Sequence, residues 1–232
     1  PVLEIIREVL RKAHDLVIKC PESLNWLDRL FSSNDKHLLR KCPCPIWMVR
    51  PQTGESFDRI LAAVDVDDSY PPKELKTRQA LNGMVMELAG SLAMSEFAQL
   101  HVAHAWEVIG ESALRHGAFI RLPEDEVNVY VNQVFQHNAQ LLDTLMKEVS
   151  AKLSQDVIDY IKPQLHMPKG AARKVIPELA KELQVDCIVM GTVARTGVPG
   201  LFMGNTAETI LDQLECSVLA IKPPGFVTPV TL

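Results

Sequence analysis

Apolar residues recur along this chain in two rhythms, a short continuous run and a stripe at helical steps, and their alternation predicts strands and helices in turn. Residues 2–13 put Ile5, Ile6, Val9 and Leu10 on one stripe opposite charged positions, which predicts an amphipathic helix. Residues 16–18 form a short strand, residues 34–41 a second helix with Leu38 and Leu39 inward, and residues 46–49 a strand stopped by Pro51. From residue 60 the rhythm resumes with strand 60–64, whose last residues run into Asp65-Val66-Asp67-Asp68. Helix 73–94 follows with Leu81, Met84, Val85, Leu88 and Leu92 on one face, then strand 100–106. Residues 107–122 read as loop, and 123–153 as a long helix with Val127, Val131, Val134, Leu142, Leu145 and Val149 at heptad-like steps. A strand within 158–166, where Pro163 suits an edge position, precedes helix 171–184, strand 187–190, helix 205–214 and strand 217–222.

The order helix, strand, helix, strand thus occurs at both ends of the chain. At one constant shift Leu38, Leu39, Cys44, Ile46, Val49, Arg50 and Pro51 fall on Ile210, Leu211, Cys216, Val218, Ile221, Lys222 and Pro223. Self-similarity over so long a period points to duplicated units rather than a solenoid. The expected organisation is a C-terminal part of one unit at 1–51, a linker at 52–56, a complete unit at 57–224 and a tail at 225–232. Alternating strands and helices imply an α/β fold, a parallel sheet with helices on both faces.

Composition narrows the class. The 232 residues carry a net charge of -5 with no basic cluster, so no direct nucleic-acid partner is expected. No apolar run approaches the roughly 18 residues of a membrane-spanning helix. The cysteines at 20, 42, 44, 187 and 216 include no C-x-x-C pair and fit reduced thiols in a cytoplasmic protein. Cys42-Pro43-Cys44 is a tight loop for an unstrained bridge.

Candidate chemistry concentrates where strand 187–190 runs through the glycines 191, 197, 200 and 204 into helix 205–214, with Asn205 and Thr206 as candidate N-cap oxygens. Glycine-bearing loops at a helix start expose N–H groups to an anion. The spacing is neither G-x-x-x-x-G-K-[ST] nor G-x-G-x-x-G. It resembles the G-x2-G-x9-G-[ST] signature of the universal stress protein family, with Gly191, Ala194, Gly204 and Asn205 in its four positions, so that Ala194 replaces a glycine and Asn205 a hydroxyl residue. Residues 57–224 resemble such a domain from end to end, and the whole chain resembles the family's tandem-domain bacterial type. In the first copy Ser32 stands where Gly204 does.

That resemblance implies a Rossmann-like, five-stranded parallel sheet of order 3-2-1-4-5, with a crevice between its first and fourth strands. It also implies ATP or AMP, with Mg²⁺, held by Asp65, Ala105, Met190, Gly191, Ala194, Arg195, Gly204, Asn205 and Thr206, with slow hydrolysis at most. Pairing of strand 46–49 with strand 217–222 inside the chain, and a homodimer, follow from the family's edge-to-edge contacts. The residues themselves leave alternatives open. Asp65 is equally a capping carboxylate, Asp67 and Asp68 solvated turn residues, and Arg195 a surface cation. His101 and His104 point to opposite faces of a strand and cannot share a metal. With no nucleophile and named base in the sequence, the competing reading is a non-catalytic binding or dimerisation protein whose altered loop admits an apolar or lipid-like ligand.

Overall fold

The strands and helices of the computed structural model alternate as the apolar rhythm requires, over residues 1–21, 31–51, 56–117, 121–152, 158, 160–192 and 203–232, which are those it describes. In chain order they are α1 (Val2–Lys12), β1 (Val17–Lys19), α2 (Ser33–Lys41), β2 (Ile46–Met48), β3 (Arg59–Ala63), α3 (Pro72–Glu96) and β4 (Gln99–Ala103). There follow α4 (Glu111–His116), α5 (Glu124–Lys152), β5 (Gln164–His166), α6 (Ala172–Glu182), β6 (Cys187–Gly191), α7 (Asn205–Leu211) and β7 (Ser217–Ile221).

The strands form one sheet of order β1-β2-β7-β6-β3-β4-β5. Within it β5-β4-β3-β6-β7 are mutually parallel and reproduce the 3-2-1-4-5 order expected for a complete unit. The sheet has seven strands rather than five, and is mixed, because β2 pairs antiparallel with β7 while β1 lies parallel to β2. The register sets Ile46 opposite Ala220, Trp47 opposite Leu219 and Met48 opposite Val218. The pairing expected between these two strands therefore occurs within one chain, and it covers an apolar edge that would otherwise template association.

Side-chain alternation along the strands builds two cores. Leu61, Ile188, Val218 and Ile46 face one side, where Ile6 of α1, Leu38 and Leu39 of α2, Ile176 of α6 and Leu211 of α7 cover them. Ile60, Ala62, Val102 and Val189 face the other, under Val85, Met86 and Ala89 of α3 and Leu142 of α5. Helix α2 starts on a capping box between Ser32 and Asp35. Across the β2/β7 joint, α2 is ion-paired to α7 through Lys36 with Asp212 and Arg40 with Glu208.

Four expectations need correction. The chain is still helical at Ile161; Lys162 turns at φ 44 and the strand begins only after Pro163, whose missing N–H suits that first position. Residues 111–116 are helical rather than loop, launched from Gly110 at φ 77 and held by Arg115, which pairs with Glu111 and Glu124. Strand β4 ends at Ala103, so His104 lies beyond it. Asn205 and Thr206 do not cap α7: Gly204 is its N-cap and they are its first helical residues, without a side-chain capping bond.

Candidate ligand crevice at the ends of β3 and β6

Strands β3 and β6 are parallel neighbours whose onward connections lead to opposite sides of the sheet, so their carboxyl ends diverge and leave a crevice. It is a cavity of about 600 Å³, lined from β3 by Asp65, from the end of β4 by His104 and Ala105, from β6 by Met190 and Gly191, and from the start of α7 by Gly204, Asn205 and Thr206. Seven of the nine residues singled out in the sequence thus share one cavity. Ala194 and Arg195 lie outside the described residues.

Asp65 is held twice. Asn82 of α3 accepts its backbone N–H at 3.1 Å and donates to its carbonyl at 2.7 Å, which fixes the chain as it leaves β3. The Arg78 guanidinium donates to the Asp65 carboxylate, stacks 3.5 Å over the Tyr70 ring, and donates to Glu74 through Nη2 at 2.9 Å. Burial, followed by the Asp65 charge, pushes the Tyr70 phenol up to about 12. Asp65 consequently enters the crevice with a cation already beside it. Asp67 accepts the Ser69 N–H at 2.9 Å, and both Asp68 oxygens lie 3.0 Å from His137 Nε2, so the acidic run is engaged in turn and side-chain hydrogen bonds.

Beside Asp65, at the end of the neighbouring strand, His104 is buried and oriented by its partners. The Val66 N–H points to Nδ1 at 3.4 Å, so Nε2 carries the proton and donates to Asn138 Oδ1 at 2.8 Å. Asn138 in turn donates to Val134 O at 2.8 Å, so α5 holds the ring in place.

Gly191 is demanded by packing. A Cβ there would lie 2.4 Å from Leu81 Cδ2, so the glycine lets α3 approach the end of β6. Gly204 is different: its φ is -62 and a methyl would meet only Thr192 O at 4.0 Å. What it contributes is its N–H, donated to Thr192 O at 3.0 Å, which closes the neck of the segment between β6 and α7. Thr192 is braced from behind by Lys222 at the end of β7, whose buried Nζ donates to Thr192 Oγ1 and to Leu39 O of α2. Asn205, Thr206 and Ala207 of the first turn of α7 line the cavity, and the first N–H groups of a helix have no carbonyl partner within it.

Sequence reasoning missed Arg78, Asn82, Tyr70, His104, Asn138 and Lys222. Two carried a signal: Asn82 is a polar residue inside the apolar stripe of α3, next to Leu81, and Arg78 sits one helical turn after Glu74 on the same face.

An open α/β sheet with a crevice at its switch point defines the class as a Rossmann-like α/β fold. The profile of the universal stress protein family matches residues 56–222, and the chain belongs to that family. Universal stress protein E of Salmonella typhi is 36% identical over 234 residues, covering 100% of this chain and 68% of that protein. Universal stress protein E of Escherichia coli K12 is 34% identical over 233 residues with the same coverage. Among solved structures, a functionally unknown protein of Pseudomonas aeruginosa PAO1 matches with TM-score 0.71 at 29% identity, covering 96% of this chain and 68% of its own. A universal stress protein of Archaeoglobus fulgidus DSM 4304 matches with TM-score 0.60 at 18% identity, covering 96% and 66% respectively, and speaks for the fold alone.

Proposed function

We propose that the chain is a stress-related nucleotide-binding module that holds ATP or AMP in the crevice between β3 and β6. The observation that carries this reading is that Asp65 and the segment ends at Gly191 and Gly204–Thr206, distant in sequence, line one cavity of about 600 Å³, a size typical of small-molecule sites. In this reading the α7 amides meet phosphate, Asp65 meets the ribose side, the Ala105 backbone meets the base, and Ala194 and Arg195 belong to the phosphate loop. Mg²⁺ would be carried chiefly by phosphate oxygens, since the Asp65 and Asp68 carboxylates are engaged by Arg78 and His137. Hydrolysis is slow at most, and the protein works in the cytoplasm.

Calorimetric titration with ATP and AMP, with and without Mg²⁺, tests the reading. Saturable heat is expected at up to millimolar nucleotide, with affinity reduced about tenfold or more in Asp65→Asn through loss of a charged hydrogen-bond acceptor. Absence of heat at millimolar concentration overturns it. A second reading, an apolar or lipid-like ligand, is favoured by the apolar part of the cavity lining, which includes Leu81, Val85, Val134, Ile176 and the exposed Ile109. Native mass spectrometry separates the two by the mass that copurifies.

The same family reading makes residues 1–51 the C-terminal part of a first unit, 52–56 a linker, 57–224 the complete unit and 225–232 a tail. The sequence repeat supports it, as does the mirrored use of β2 and β7 across their joint.

A further inference from the structure

Between α2 and β2 the chain runs Lys41-Cys42-Pro43-Cys44-Pro45. Each proline fixes its own φ and keeps the residue before it out of the helical region. Cys42 is accordingly extended, at φ -68 and ψ 130, so α2 ends at Lys41. The bend is anchored at both ends: the Cys42 N–H donates to Leu38 O at 3.0 Å and the Val17 N–H to Pro45 O at 3.0 Å. With the backbone so constrained, the two thiols fall on one side, Sγ to Sγ 3.5 Å.

We propose that Cys42-Pro43-Cys44 is a reversible dithiol/disulfide site, with Cys44 the attacking sulfur, Cys42 the resolving sulfur and a low-molecular-weight disulfide the oxidant. Roles follow from position. Cys44 retains 8% exposure whereas Cys42 has none. The hydrogen bond from the Cys42 thiol holds Cys44 below the ordinary thiol range, and the same bond together with burial pushes Cys42 up. The thiolate is the nucleophile, so the outer sulfur reacts first.

The chemistry balances in two exchanges. Cys44 gives its proton to solvent and its thiolate attacks one sulfur of the small disulfide, forming a mixed disulfide and expelling one thiolate, which is protonated. The Cys42 sulfur then attacks Cys44 Sγ, its proton passing to the second departing thiolate. The dithiol has lost two electrons and the small disulfide has gained them, leaving two small thiols. A ring closed across a single residue is strained, so the bridge reopens readily under excess thiol.

The repeat supplies an internal control. The equivalent bend before β7 reads Leu214-Glu215-Cys216-Ser217, with leucine where Cys42 stands and no flanking prolines. Burial pushes the Cys216 thiol up to about 12. One place in the fold thus carries two adjacent thiols in one copy and, at the same 8% exposure as Cys44, a single thiol beside leucine in the other.

The test exposes the reduced, folded chain to oxidised glutathione, traps free thiols by alkylation and maps products by peptide mass spectrometry. The expected result is loss of two hydrogens confined to the Cys42/Cys44 peptide, at a rate about tenfold or more above modification of Cys216. Cys42→Ser should stop at a glutathione adduct on Cys44, and Cys44→Ser should leave Cys42 free to alkylate. Equal rates at Cys44 and Cys216, adducts on Cys20 alone, or a bridge formed only after unfolding in urea overturns the proposal. The unsubstituted chain alone decides it, whatever the variants do to folding.

Discussion

At Gly191 the Leu81 side chain occupies the space a methyl would need. Gly191→Ala is expected to destabilise the fold by roughly 1–3 kcal/mol, the usual range for overpacking. Urea unfolding measures it, and adding Leu81→Ala should restore part of the loss if the clash is the cause. A second residue-scale consequence concerns His101 and His166, whose Nδ1 and Nε2 lie 3.0 Å apart between β4 and β5. Burial holds both below the ordinary histidine value of 6.5, aided for His101 by His166 and then Arg59, and opposed for His166 by Glu182. Because the unfolded chain binds protons there more readily, stability contributed by the neutral pair is lost as pH falls below about 6.5. Urea midpoints from neutral pH down into that window should decline, and His166→Gln should flatten the decline. An unchanged slope would remove the pair from the account.

At the scale of elements, the β2/β7 joint carries more than paired backbones. Lys222 reaches from the end of β7 to Leu39 O on α2 and to Thr192 at the neck of the crevice. Burial lowers its ammonium from 10.5 to about 7, and a neutral amine has two N–H groups for these two acceptors. The unfolded chain therefore holds one more proton than the folded chain between about 7 and 10.5. Stability should rise with pH across that window, with a slope on the order of 1 kcal/mol per unit at most, and fall as pH returns toward neutrality. Lys222→Met should lose that rise when the comparison with the parent is made at each pH in a Cys42→Ser background, since Cys42 and Lys222 interact electrostatically. Helix and strand positions were legible because apolar spacing records burial directly. Residues 111–116 were not, since the contacts that hold them are polar, Arg115 with Glu111 and Glu124 and Glu111 with the distant Lys169, and the 158–166 segment misled because the apolar Ile158 and Ile161 serve a helix end.

For the whole molecule, the alternation led only to a parallel α/β sheet, while the strand order and the convergence of Asp65 with Gly191 and Gly204 were what the family resemblance implied. The partners that hold Asp65 did not, because Arg78 and Asn82 reach it across a helix-to-strand contact that no local spacing encodes. The seventh and sixth strands of the sheet also bear on assembly. β7 has β6 on one side and β2 on the other, so neither of its edges is open to a second copy. A homodimer of the kind the family resemblance leads one to expect would use a surface other than the edges of β7. Sedimentation equilibrium of the chain should then give a mass unaffected by Leu219→Thr, a substitution within the joint, whereas a mass shift would place self-association at β7.

Trp47 and Leu219, the pair at the centre of that joint, also occupy equivalent places in the repeat. A contact between separate identical subunits meets every substitution twice, once from each side, and is obliged to fit its own mirror image. Tethered on one polypeptide, the two sides meet each substitution once, so a change at Trp47 leaves Leu219 as it was. Joining β2 and β7 covalently thus lets the two faces of the joint vary independently.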